Sequence, residues 1–131
     1  MAAQAEYLGG TDFQKSRAYS PAVITQGGRT IWLAGQTAVV DESGTDISGN
    51  FDAQARTIFA LMDKTLKRAG GSLANLVTMT VFINDPRLGD PFVRIRAEHF
   101  KSGCFPASAL ITVTAFARPG ILIEIQGVAV V

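Results

Sequence analysis

The sequence predicts an α+β fold in which a mixed β-sheet carries two helices on one face. Three observations lead to this prediction. Short segments that alternate apolar and polar residues mark strands in both halves of the chain, and two segments with helical periodicity separate them. Each helix connects two strands, which allows those strands to run parallel, while tight turns elsewhere add antiparallel neighbours. The predicted order is β-β-α-β-α-β-β.

The N-terminal part of the chain begins without a clear pattern and then forms two strands. Residues 1–17 are expected to be an irregular lead-in. Strands follow at Ala22–Gln26 and Thr30–Thr37, and the glycine pair at 27–28 between them is typical of a hairpin turn. Gly35 lies inside the second strand, where a glycine indicates a bulge or a point at which a ligand approaches the backbone.

The first helix is the clearest local prediction, because its end signals agree with its apolar stripe. Asn50 can cap its start, and the glycines at 70–71 can end it. A strand at Val77–Ile83 follows, and a second helix is expected over roughly Pro91–Lys101, with Asp90 as its N-cap. The stripe that should pack on the sheet consists of Phe51, Ala55, Ile58, Met62, Leu66 and Ala69, flanked by Phe59.

The C-terminal segment contains two further strands and a carboxylate in an unusual place. The strands are predicted at Ala109–Ala115 and Ile121–Val131, on either side of a Pro-Gly turn at 119–120. Glu124 lies on a face of the last strand that is mostly apolar apart from Gln126. A carboxylate there must be hydrogen-bonded, paired or protonated. Glu124 is therefore either a functional residue or an edge carboxylate that contacts water.

The composition indicates one domain whose sheet is covered by another subunit. The chain has 131 residues, of which 47% are hydrophobic and 18% charged, and its formal net charge is +1. This length suits a single domain at residues 18–131, after the lead-in. Two helices on one face leave the other face of the sheet uncovered in a monomer. A bare apolar face and a low charge content both indicate an oligomer.

The sequence also argues against several classes of protein. It has no cluster of lysine and arginine of the kind that nucleic-acid binding uses. Its apolar runs are too short for a membrane helix, and its N-terminus lacks the features of a secretion signal. A single cysteine, Cys104, and a single histidine, His99, are too few for an internal disulfide or a metal site built from these residues. We therefore expect a cytoplasmic, metal-free protein.

Several stretches together resemble the Rid (reactive intermediate deaminase) or YjgF-like family over residues 18–131. Each is weak alone, but their order and spacing are specific. The stretches are Tyr19-Ser20-Pro21, Ala34-Gly35-Gln36, Gln54-Ala55-Arg56, VTMTVFIND at 77–85, Phe105-Pro106-Ala107-Ser108 and Ile123-Glu124-Ile125. The resemblance implies a chorismate-mutase-like fold assembled as a homotrimer, with clefts between subunits. The active branch of the family hydrolyses small 2-imino or enamine acids to 2-keto acids and ammonia, without a cofactor.

The resemblance also assigns site residues, and one of them departs from the family pattern. It implies that Glu124 orients the attacking water, and that Tyr19 and the backbone at Gly35 complete the pocket. The family arginine that grips the substrate carboxylate is replaced by Ser108. A serine offers one neutral hydrogen bond in place of two charge-assisted ones. We therefore expect a substrate other than the simple 2-imino acids.

Two functions remain open at this point. In the first, the protein detoxifies a reactive imine or enamine metabolite by hydrolysis, with Glu124 as the catalytic residue. In the second, a non-catalytic trimer binds a small metabolite or a protein partner in the same clefts. Arg94 or Arg96 could supply the missing guanidinium, and Arg96 joins the predicted substrate-binding set. Cys104 has no histidine partner in its motif, and His99 is expected to be an ordinary residue of the helix face.

Overall fold

The computed structural model describes residues 2–131. It contains the predicted succession of strands and helices after an additional N-terminal strand and helix. In chain order the elements are β1 (Gln4–Tyr7), α1 (Asp12–Ser16), β2 (Val23–Gln26), β3 (Thr30–Trp32), α2 (Phe51–Arg68), β4 (Leu76–Ile83), α3 (Gly89–His99), β5 (Ala107–Thr112) and β6 (Ile123–Val130), with short 3-10 helices at Leu73–Asn75 and Pro86–Leu88.

The main sheet has four strands in the order β3-β6-β4-β5. β4 and β5 run parallel through the α3 crossover, whereas β6 runs antiparallel to both β3 and β4. β6 therefore lies inside the sheet although it is the last strand in the chain. This is the mixed sheet that the sequence predicts.

Both long helices pack on one face of this sheet, as predicted. Asn50 caps α2 by accepting a hydrogen bond from the backbone N–H of Ala53 at 3.1 Å, and the chain leaves the helix through Gly70 at φ +85°. None of the helices formed by residues 2–131 is long and apolar enough to cross a membrane. The core between helices and sheet includes Ala55, Ile58, Phe59, Leu66, Leu76, Val81, Phe92, Ile123 and Ile125, all fully buried.

The N-terminal third differs from the prediction in two ways. The segment 1–17, expected to be irregular, forms β1 and α1, and α1 begins with a capping box. The predicted hairpin between β2 and β3 is wrong, because β2 pairs with β1 while β3 pairs with β6. The chain does turn at 27–28, where both glycines have positive φ, but the turn leads from one sheet to the other.

The second long helix begins differently from its prediction. α3 begins at Gly89, directly after a 3-10 turn, and its N-cap residue Leu88 offers no side-chain hydrogen bond. Asp90 is therefore not the cap. Its carboxylate instead pairs with Arg17 at 2.5 Å, which ties α3 to the residue that follows α1.

The face of the sheet opposite the helices carries exposed apolar side chains. Trp32 is 79% exposed, and Ile111 on the edge strand is 42% exposed. Leu33, the neighbour of Trp32, is buried on the helix side. The uncovered face that the sequence predicts is thus the face of Trp32.

Gln54 provides a test of how the loops are held against α2. Its amide donates to the carbonyls of Ile47 and Gly120 at 2.9 and 2.7 Å and accepts from the N–H of Leu122 at 2.9 Å. Gln54→Leu would leave the N–H of Leu122 unpaired and would remove one of the two hydrogen bonds that each carbonyl accepts, since Ile47 and Gly120 also accept from the N–H groups of Asn50 and Gly49. We expect it to lower the free energy of unfolding in urea by about 3 kcal/mol. The exposed Gln26→Leu should change it by less than about 0.5 kcal/mol, and equal effects of the two would contradict this role.

Candidate functional site

Glu124 lies on the face of β6 that points away from the helices. Its neighbours in sequence, Ile123 and Ile125, are buried on the helix side, and its cross-strand partner is Phe82. The carboxylate lines a cavity of about 260 Å³. The other residues around this cavity are Phe82, Val113, Ala115, Phe116 and Ala117. A carboxylate among apolar walls is a suitable place for handling a single proton or a single water.

Gly35 lies directly against the Glu124 carboxylate. A Cβ at position 35 would overlap Oε2 of Glu124. The pairing of this segment with β6 contains one extra residue, since four positions separate Trp32 from Gln36 while three separate their partners Val128 and Ile125. This bulge re-aims the backbone at Gly35. The glycine is needed here for close approach rather than for a positive φ.

A second polar group centres on Arg96, which lies on the helix side of the sheet near its β5 edge. Arg96 is only 2% exposed. Its Nη1 donates to Oγ of Ser108 at 2.6 Å, and its Nη2 donates to the carbonyl of Arg17 at 2.9 Å. The guanidinium carbon lies 5.0 Å from the ring centroid of Phe92 and 6.0 Å from that of Tyr19. The structure thus brings Tyr19, Ser108 and Arg96 together.

Backbone contacts explain why Tyr19 and Ser108 meet. The N–H of Ser20 donates to the carbonyl of Pro106 at 3.1 Å, and Ser20 forms a parallel bridge with Ala107. Ala18 is buried with φ +59°, the one non-glycine residue among those described that has a positive φ. Its N–H donates to the carbonyl of Lys15 at 3.1 Å, and the N–H of Tyr19 donates to that of Gln14 at 3.3 Å, so Ala18 ends α1 in a Schellman motif. The carbonyl of Arg17, the C-cap residue, accepts the hydrogen bond from Arg96.

The Arg96 group borders a cavity of about 210 Å³ with a positively charged wall. It is lined by Phe13, Arg17, Tyr19, Val93, Arg96, Ser108 and Leu110. Burial and, to a smaller degree, the charge of Arg17 lower the pKa of Arg96 to about 10, although Tyr19 opposes the shift. The guanidinium therefore still carries its charge at neutral pH. Arg94, the other arginine considered from the sequence, is exposed on the surface of α3.

The two groups of candidate residues lie on opposite faces of one sheet. Ser108 is paired with Met79, which is buried under the helices, whereas Glu124 is paired with Phe82 on the other face. Residues directly opposite each other on neighbouring strands share a face. A single chain therefore places Gly35 with Glu124, and separately Tyr19 with Ser108 and Arg96.

The remaining candidates lie apart from both cavities. The ring of His99 stacks on Phe59, and its Nδ1 lies 2.8 Å from the carbonyl of Ile95, as expected of a helix-face residue. Cys104 is half-buried, and it contributes to the raised pKa of Tyr7, which results mainly from burial. Within residues 2–131, no three side chains of the His, Cys, Asp and Glu types are grouped as metal ligands.

Arg17 is a cavity residue that sequence reasoning missed. It follows α1, in the segment expected to be irregular, and no periodicity or motif marks it. Its position depends on the ion pair with Asp90 on α3, which is 73 residues away in the chain. A contact between residues so far apart in the chain leaves no pattern in the sequence around Arg17 from which it could be predicted.

Comparisons with known proteins agree with this fold and these motifs. The family described as Endoribonuclease L-PSP matches residues 10–131. The 2-iminobutanoate/2-iminopropanoate deaminase of Homo sapiens is 36% identical over 112 residues, which cover 86% of this chain and 79% of the human protein.

Solved structures of related proteins have the same fold. RidA from the Antarctic bacterium Psychrobacter sp. has a TM-score of 0.71 at 26% identity, over 86% of this chain and 88% of its own. The protein YyfB of the Rid family from Yersinia pestis covers 100% of both chains with a TM-score of 0.78; at 23% identity it shows the fold alone. The match along nearly the whole chain, together with the human relative, shows that the protein belongs to the Rid family, also named YjgF or L-PSP.

Proposed function

We propose that this protein hydrolyses a small reactive imine or enamine metabolite without a cofactor, with Glu124 as the catalytic residue. The observation that carries the proposal is the Glu124 carboxylate, which lines a cavity on an otherwise apolar wall and lies against the bare backbone of Gly35. The similarity to a 2-iminobutanoate/2-iminopropanoate deaminase supports the same reaction class. The family description names an endoribonuclease, but a net charge of +1 is low for a protein that binds RNA through its phosphates.

The proposed reaction needs one side chain that transfers a proton, and it consumes one water molecule. Glu124 accepts a proton from the water as its oxygen adds to the carbon of the C=N bond, and the imine nitrogen gains a proton. The resulting carbinolamine loses ammonia when the C–N bond breaks and the hydroxyl proton leaves, so that a C=O bond forms. An enamine enters the same sequence after protonation at carbon gives the imine. The net change is the addition of one water and the release of one ammonia.

We propose that the working form is a homotrimer with the sites between subunits. The Trp32 face of the sheet is exposed in one chain, and a large exposed apolar surface favours a partner. Glu124 and Ser108 lie in separate cavities of one chain. A neighbouring copy could bring its own Glu124 next to this chain's Ser108, or the reverse. Contact between two copies would then complete a cleft that a monomer lacks.

The substrate is proposed to differ from the simple 2-imino acids. Position 108 holds a serine whose Oγ already accepts a hydrogen bond from Arg96, so no guanidinium of residue 108 reaches into the cavity. The second candidate function, a non-catalytic trimer that binds a metabolite or a protein partner in the same clefts, is favoured by this replacement. Release of ammonia from a panel of freshly generated imines and enamines distinguishes the two functions.

Replacing the carboxylate tests its catalytic role. Glu124→Gln should lower the rate of ammonia release at least about a hundredfold, because an amide cannot take up the proton of the attacking water. Melting temperature and assembly should be unchanged. Glu42→Gln, which alters an exposed carboxylate paired with Lys64, should keep the wild-type rate. Unchanged turnover in Glu124→Gln would show that Glu124 is an edge carboxylate.

The close approach of Gly35 gives a second, independent test. Gly35→Ala puts a methyl group where Oε2 of Glu124 lies, and the carboxylate is the flexible partner that must move. We expect kcat to fall at least about tenfold, as for a misplaced catalytic group, while the protein stays folded. Gly9→Ala is the matched control, since a Cβ there meets no atom within 4 Å. Equal kcat values for the two variants would contradict the geometry.

The molar mass of the protein in solution tests the proposed homotrimer. Light scattering should give about three times the chain mass of 13.9 kDa. Trp32→Asp should shift the protein toward monomer, because it places a charge in the proposed interface, and ammonia release should fall with it. Lys101→Asp, at an exposed position after α3, is the control that should stay trimeric. A wild-type monomer with full activity would refute the inter-subunit site.

A further inference from the structure

The guanidinium of Arg96 is a buried cation without a carboxylate partner. Within residues 2–131, every ion pair that forms within 4.0 Å involves other cations, and Nε of Arg96 is buried without any hydrogen-bond partner. An unpaired buried charge is costly, so proteins pair it or place it where it serves a ligand. The aromatic faces of Phe92 and Tyr19 compensate for only part of this cost.

Ser108 connects this cation to the cavity. Its Oγ accepts the hydrogen bond from Nη1 of Arg96, and in the described part of the chain Oγ has no other hydrogen-bond partner. A hydroxyl that accepts through a lone pair still has its own proton to donate. Because Ser108 lines the cavity, that proton is available to a ligand, and the charge behind it strengthens the bond.

Arg17 adds a second positive charge at the same cavity. Its side chain is 28% exposed, and its partner Asp90 is 74% exposed. An exposed ion pair of this kind contributes little to stability, so a ligand can replace Asp90 at small cost. Two guanidinium groups and one carboxylate leave the cavity wall with one uncompensated positive charge.

We infer that this cavity binds one carboxylate of the ligand, with the Ser108 hydroxyl as donor, Arg96 as the residue that polarises and positions it, and Arg17 as a second cation. The inference rests on the proposed function for the reacting end of the ligand. It deepens that function by naming the class of substrate, an imine or enamine whose carboxylate is not bonded directly to the carbon of the C=N bond.

The positions of the two cavities indicate where that carboxylate lies in the ligand. Ser108 lines one cavity, with the buried Arg96 behind its hydroxyl, and Glu124 lines the other, on the opposite face of the sheet. A carboxylate at Ser108 and a reacting carbon beside Glu124 are thus held in separate places, and an arm of several atoms must join them. This differs from 2-iminopropanoate, where the carboxylate is bonded directly to the imine carbon.

Stable ketones that mimic the product test the inference without turnover. The probes are 4-oxopentanoate, its neutral analogue 4-oxopentanamide, and pyruvate, whose carboxylate adjoins the carbonyl. Calorimetry with the intact wild-type protein should show at least about tenfold tighter binding of 4-oxopentanoate than of either other probe, as expected for a hydrogen bond to a charged group. Equal affinity for the acid and its amide would overturn the carboxylate site. Pyruvate binding as tightly as 4-oxopentanoate would overturn the extended arm.

Variants separate a ligand role of Arg96 from a structural one. Ser108→Ala should reduce the preference for acid over amide about tenfold, whereas Ser108→Thr, which keeps the hydroxyl, should retain it. Arg96→Met should lose the preference in the same way, and exposed Arg94→Met on the same helix should keep it. If Arg96→Met does not fold, comparison of Ser108→Ala with Ser108→Thr decides between the ligand role and the structural role. Loss of stability in Ser108→Ala with an unchanged acid preference would show that the Arg96–Ser108 bond is purely structural.

The outcome for this site can be told apart from the outcome for the proposed hydrolysis. Binding of 4-oxopentanoate and release of ammonia are measured separately, and Glu42→Gln, which alters an exposed carboxylate outside both cavities, should keep the wild-type value in both. An acid preference that depends on Ser108, in a protein that releases no ammonia from any imine, would support the anion site and refute the hydrolase. Rapid ammonia release with no acid preference would refute the anion site alone.

Discussion

The alternation of side chains along β6 is the constraint on which the arrangement of this molecule depends. β6 is hydrogen-bonded on both sides, to β3 and to β4, so its register is fixed twice. Ile123 and Ile125 point under the helices, and Glu124 between them must therefore point to the other face. A slip by one residue would bury the carboxylate in the core and expose the isoleucines. Packing of the core and placement of the candidate catalytic group are thus consequences of the same strand register.

The second cavity depends on a different physical effect, the cost of burying a charge. Arg96 extends from α3 to the edge strand, where it donates hydrogen bonds to the side chain of Ser108 and to the backbone of Arg17. Between Arg17 and Tyr19, the backbone of Ala18 adopts a conformation that alanine rarely takes. A cation held in this way is unlike Arg56 on α2, which contacts the carboxylates of Asp52 and Glu98 at the surface. The groups around Arg96 orient its guanidinium toward the Ser108 cavity without neutralising its charge.

The division of the candidate residues between two faces relates the site to assembly. One chain presents Glu124 and Gly35 on the uncovered face, and Ser108 with Arg96 beside the helices near β5, a strand at the edge of the sheet. Trp32 extends from the uncovered face with most of its surface in water. Under the proposed trimer, burial of this apolar surface and completion of the site would be one event, and activity would then depend on protein concentration at high dilution.

The sequence by itself determined the local elements from β2 onward, the face of Glu124 and the family, but not β1 and α1. Helical periodicity with Asn50 at one end, and period-two alternation along β6, are local patterns that tertiary contacts reinforce. Only the tertiary structure decided which strands pair: β2 takes β1, so the expected hairpin with β3 does not form. It also decided that Arg96 rather than Arg94 contacts Ser108, and that Arg17 joins them. These pairings and contacts join segments that are far apart in the chain. A local sequence pattern carries no information about the energies of such long-range contacts.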